Sequence, residues 1–157
     1  MIEQLKSSDL VIARKMHDIF QASYSIEAKL LNAIDFPPLK RPINDYQKSD
    51  TQFYGYIKDK VLVGVIEIKH TKDFTHIQSL VVDPNFFRQG IGRLLMAHTL
   101  KTYDTDLFVV ETGVDNDPAI HLYRQLGFVE VKQWDTDHGV RKIRFELENM
   151  NGGIVIA

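Results

Sequence analysis

An α/β fold is predicted by three features of this 157-residue chain. Apolar runs of strand length, separated by short polar turns, follow one another from residue 53 to 82. Amphipathic, capped helical stretches lie both before and after them. Between the third of these runs and the next helix stands Leu80-Val81-Val82-Asp83-Pro84-Asn85-Phe86-Phe87-Arg88-Gln89-Gly90-Ile91-Gly92-Arg93: a buried strand, a proline-marked exit, a turn with two spaced glycines and a helix start.

The elements follow in order. Residues 1–6 form a short strand-like run. Ser7-Ser8-Asp9 offers caps for a helix carrying Leu10, Val11, Ala13, Met16, Ile19 and Phe20 at helical spacing, and residues 26–33 read as a second helical stretch. Phe36-Pro37-Pro38-Leu39 then forces extended backbone; it either presents an aromatic and a leucine in a loop or acts as a rigid connector whose Phe36 plugs the core. Residues 53–58 and 61–70 make a hairpin through Asp59-Lys60, and Thr71-Lys72-Asp73 turns the chain into a strand over 74–82. Strict alternation along it puts His76, Gln78, Leu80 and Val82 on one face, with Glu67 opposite Gln78 and diagonal to His76. A helix over 91–103 carries Ile91, Leu94, Leu95 and Leu100, and the apolar run 107–111 is a central strand. Asn116-Asp117-Pro118 caps a helix with Ala119, Leu122, Tyr123 and Leu126 on its stripe; Gly127 ends it, and 128–134 with 141–148 form a last strand pair. One domain over 1–148 is expected, with 149–157 a poorly ordered tail.

Composition limits the function. A net charge of −2 gives no reason to expect nucleic acid or an acidic membrane as partner. With no cysteine, disulfides, thiolate metal sites and a covalent cysteine intermediate are excluded. His17, His70, His98, His121 and His138 share no metal-ligand spacing, so no metal is expected. Neither a signal-peptide core nor a bilayer-spanning stretch is seen, which places the protein in the cytoplasm.

The glycine turn gathers free backbone N–H groups and a helix dipole where phosphate binds, with Arg88 and Arg93 beside it. It is neither the longer phosphate loop ending in Gly-Lys-Ser/Thr nor the three-glycine dinucleotide fingerprint, which disfavours a nucleotide-phosphate protein. The window Phe87-Arg88-Gln89-Gly90-Ile91-Gly92 resembles the acyl-coenzyme A loop of the GCN5-related N-acetyltransferase (GNAT) family, Gln/Arg-x-x-Gly-x-Gly/Ala, departing from it only at Phe87. Asn116-x-x-Ala119-x-x-Leu122-Tyr123-x-x-Leu126-Gly127-Phe128 resembles a second pattern of that family at every fixed position.

The resemblance implies a mixed, mostly antiparallel twisted sheet flanked by about four helices, and an acetyl-CoA-dependent N-acetyltransferase acting by direct transfer. It implies that the backbone of Arg88, Gln89, Gly90, Ile91, Gly92 and Arg93 holds the pyrophosphate. Leu80, Val81 and Val82 would then line the pantetheine arm where their strand splays from the next, with Asn116 and Ala119 on the cofactor side. Tyr123 would protonate the departing sulfur. By position before Gly90, His76 is the base, with Glu67 the alternate and Glu111 a third candidate. The first helical region and its loop would line the acceptor pocket. The acceptor stays open among peptide or protein amino groups, polyamines and other small amines, and amino-modified antibiotics, and a homodimer is one arrangement open to the chain. The alternative is a regulatory module that holds acyl-CoA without turnover.

Overall fold

The computed structural model of the protein describes residues 1–149; the expected tail lies, from residue 150 on, outside them. Asn149 itself is held, its backbone N–H donating to the Asp106 carbonyl and its side chain to that of Thr105.

Among the described residues seven strands form one sheet: β1 (Ile2–Leu5), β2 (Gln52–Lys58), β3 (Val61–His70), β4 (Phe74–Val82), β5 (Leu107–Gly113), β6 (Val129–Asp135) and β7 (Arg141–Glu148), in the order β1-β2-β3-β4-β5-β7-β6. Every neighbouring pair is antiparallel except β4 and β5. Short turns make the antiparallel pairs: Asp59 and Lys60 both adopt positive φ, which matches a two-residue hairpin to the strand twist. The parallel pair needs a crossover, which α3 (Ile91–Thr102) supplies.

Helices cover both faces. On one, α1 (Leu10–Leu30) and α2 (Ile43–Lys48) bury Met16, Phe20 and Tyr46 against Leu5, Phe53, Val65 and Val81. On the other, α3 and α4 (Asp117–Gln125) bury Leu95, Met96, Leu100 and Tyr123 against Ile66, Ile77, Phe108 and Val110. Each fully buried aliphatic or aromatic side chain contributes about 1.5–3 kcal/mol.

Three local expectations are corrected. The helical stretches at 10–20 and 26–33 are one helix that ends at Leu30, because Gln21–Ser25 contains no breaker; Ser25 turns its hydroxyl onto the Gln21 carbonyl and stays helical. The Pro37-Pro38 segment is not extended but a 3-10 turn, Pro37–Lys40, with Phe36 buried beneath it beside Leu31 and Val140. Strict alternation fails in β4. Glu67 pairs with Ser79 and Ile68 with Ile77, so Gln78 is the extra residue of a bulge. The bulge turns His76, Ser79 and Val81 toward α1 and sends Leu80 and Val82 to the α3 and α4 side.

Candidate functional site

The parallel pairing of β4 with β5 ends early. It joins residues 74–77 to 107–110, after which β4 bonds only to β3 and β5 only to β7. Residues 78–82 of one strand and 111–113 of the other therefore border a gap in the middle of the sheet, where Leu80, Val81 and Val82 leave backbone groups without a strand partner on that side. Such groups can serve an extended ligand as a neighbouring strand would.

At one mouth of the gap lies the glycine turn. Arg88 and Gly90 both take the left-handed conformation, at φ 64° and 77°. A left-handed residue next to a helix start points successive N–H groups into one concavity, and Ile91, Gly92 and Arg93 add first-turn N–H groups that have no intrahelical partner. A Cβ at Gly90 would meet nothing within 4 Å, so glycine is needed there for its φ and not for space inside the protein. Lys58 Nζ donates to Gln89 Oε1 at 2.7 Å and brings a third cation to the loop, while Arg93 is tied to Gln125 on α4 at 3.0 Å. These residues fit a pyrophosphate.

Across the gap stands α4. Asn116 caps it, its Oδ1 accepting from the Ala119 N–H at 3.3 Å, and Ala119 is half-buried on the inner stripe. Tyr123 is 4% exposed, packed against Phe128 and Phe145. Burial, with the nearby Glu27 and Tyr24, holds its phenol well above the ordinary tyrosine range, so it stays protonated. Glu27 was not foreseen. It projects from α1 and accepts at Oε1 from Asn116 Nδ2 (2.8 Å) and Thr112 Oγ1 (3.3 Å). Its signal in the sequence was a lone acid on the inward stripe Tyr24, Glu27, Ala28, Leu31. The helix comes this close because Gly113 has no side chain: a Cβ there would fall 2.4 Å from Leu31.

The three base candidates are not alike. Glu67, 2% exposed, receives Arg41 through its Nη1 and Nη2 at 2.7 and 2.9 Å, Thr51 Oγ1 at 2.8 Å and Ser79 Oγ at 2.9 Å. Four donors already meet this one carboxylate. His76 is half-buried on the α1 face next to Val109; burial lowers its pKa below the ordinary histidine value, Glu111 opposes that, and Arg144 and Lys142 add to it. Glu111 meets Arg144 at 3.4 Å, and Arg144 is shared with Glu146 at 2.9 Å. His76 and Glu111 thus border the same opening, whereas Glu67 is held by the segment before α2. Among the described residues no group of three His, Asp or Glu is arranged to hold a metal, and no helix is long and apolar enough to cross a membrane.

A comparison with known proteins finds that the profile of the Acetyltransferase (GNAT) family matches residues 13–128. The UPF0157 protein YqkA of Bacillus subtilis is 32% identical over 94% of this chain and 43% of its own length. An N-alpha-acetyltransferase of Sulfurisphaera tokodaii is 33% identical over 53% of this chain and 54% of its own. The chain spans about half the length of these two relatives. The crystal structure of PaiA N-acetyltransferase from Thermoplasma acidophilum in complex with coenzyme A shares the fold at a TM-score of 0.69 and 20% identity, over 95% of this chain and 99% of that one.

Proposed function

This chain belongs to the acetyltransferase (GNAT) family, and from that premise we propose that it is an acetyl-CoA-dependent N-acetyltransferase acting by direct transfer to a primary amine. The observation that carries the reading is the sheet gap with the glycine turn at one mouth and the Tyr123 phenol across it. Acetyl-CoA would supply the activated thioester. Arg88, Gln89, Gly90, Ile91, Gly92 and Arg93 hold the pyrophosphate through their N–H groups. The unpaired backbone of Leu80, Val81 and Val82 aligns the pantetheine arm, and an N–H near Val81 or Val82 polarises the carbonyl. Asn116 and Ala119 set the start of the helix that carries Tyr123, whose hydroxyl keeps the proton needed where the sulfur departs.

His76 is the base in this reading. Its lowered pKa keeps the imidazole neutral at physiological pH, able to take the amine's proton. Glu111 stands beside it, while the four contacts of Glu67 suit a structural anchor. The name of the S. tokodaii relative makes a peptide α-amine the first acceptor to try.

Two measurements test the proposal. Thermal midpoints with acetyl-CoA, coenzyme A, ATP and NAD should rise for the first two only. Thiol release from acetyl-CoA should then depend on an added amine. No shift with acetyl-CoA overturns the assignment, and binding with no transfer to a broad amine panel turns the reading to an acyl-CoA-holding regulatory module.

A further inference from the structure

Glu67 and Glu111 each face an arginine, but Glu27 forms no ion pair among the described residues. It is nevertheless well placed. It leaves α1, the helix on one face of the sheet, and reaches the end of β5 at Thr112 and the cap of α4 at Asn116, close enough to act electrostatically on Tyr123 and on Tyr24. Both donors lie on Oε1, and Oε2 has no donor among the described residues. Burial pushes its carboxyl above the ordinary range, and the contacts from Asn116 and Thr112, with the more distant Lys142 charge, offset this only in part. A desolvated carboxylate with no cation in direct contact is costly, and that cost is relieved further when a cation reaches it.

We propose that Glu27 binds the ammonium group of the acceptor, entering the gap from the α1 side, and so selects amines delivered as cations. This rests on the N-acetyltransferase reading. The carboxylate makes a charge-assisted hydrogen bond from Oε2 while Oε1 stays tied to Asn116 and Thr112, so the nitrogen is held beside the helix that carries Tyr123. The proton that the amine loses before attack goes to His76 or to water, and Glu27 orients and recruits.

Glu27→Gln separates recruitment from a purely structural role, because the amide oxygen can still accept from Asn116 and Thr112 while the charge is gone. Steady-state transfer is measured with tyramine, spermidine and a hexapeptide bearing a free N-terminal alanine, alongside calorimetric binding of acetyl-CoA. For whichever amine the wild type uses, KM for that amine should rise about 10- to 100-fold in Glu27→Gln, with the acetyl-CoA Kd within about twofold. Glu27→Asp should restore part of the loss. An unchanged amine KM in Glu27→Gln overturns the role of Glu27 and leaves the acetyltransferase reading standing. A wild type that binds acetyl-CoA and acetylates none of the three amines overturns both.

Discussion

Tyr123 and His76 separate two demands that one titratable group cannot meet, since sulfur needs a proton and nitrogen must lose one. The Tyr123 phenol is buried, kept protonated, and among the described residues receives no hydrogen bond that would shift it the other way. Tyr123→Phe retains the ring contacts with Phe128 and Phe145, so it should fold and bind acetyl-CoA within a few-fold. Its kcat should fall on the order of 10- to 1,000-fold with little change in KM for acetyl-CoA, because the lost contact belongs to the transition state. Full kcat with chemistry rate-limiting would return Tyr123 to the core. For His76, a lowered pKa means that the active, neutral form persists below the ordinary histidine range. The acid limb of kcat/KM should therefore fall below pH ~6.5, and His76→Ala should remove it. If the same limb survives in the variant, the base is Glu111.

The elements that frame the gap depend on two devices of different kinds. The glycine turn is local: Gly92 has ordinary room for a Cβ, with Leu122 at 3.7 Å and Leu80 at 3.8 Å, so Gly92→Val should fold yet block close approach of an anion. Calorimetry should show acetyl-CoA binding weakened at least about tenfold, within the range that losing charge-assisted contacts implies; unchanged affinity would take the cofactor away from this loop. The second device is long-range. Arg41, stacked 4.3 Å above Tyr46 and bidentate on Glu67, fastens the segment before α2 to the centre of β3. Arg41→Ala leaves Glu67 buried without its cation and should cost about 3–5 kcal/mol in urea unfolding, well beyond the about 0–1 kcal/mol of a surface pair. A loss under 1 kcal/mol would show that Thr51 and Ser79 suffice. This difference in range also explains what the sequence could reveal. Caps at Asp9 and Asn116, the Asp59-Lys60 turn and the stripe of α4 are set by neighbours along the chain and were legible. The bulge at Gln78 was not, because it answers to the register of β3, and neither was the Arg41 partner of Glu67, 26 residues away.

For the molecule as a whole, the gap joins what the two helical layers otherwise keep apart. Its cofactor side was written in motifs, since backbone N–H groups and one phenol need fixed spacings; its α1 side was not, because Glu27 meets Asn116 across 89 residues with no pattern to announce it. Two groups on the α1 side also act on stability in opposite pH directions. His76 has a lowered pKa in the folded state, so its contribution is whole above the ordinary histidine value and is lost as pH falls through the folded one. Glu27 has a raised pKa, so its contribution is whole below the ordinary glutamate value and is lost as pH rises through the folded one. Above that folded value the ionised Glu27 therefore weighs against the ligand-free fold, and Glu27→Gln, which keeps an acceptor for Asn116 and Thr112, should relieve it. The variant should match the wild type in thermal midpoint near pH ~4 and exceed it at pH ~8, by on the order of 2–4 °C for each kcal/mol relieved. Scanning calorimetry of the ligand-free proteins across that range reads the difference directly. A midpoint gap that is absent at high pH, or that runs the other way, would show Glu27 already well solvated and remove the reason for a cation to settle on it.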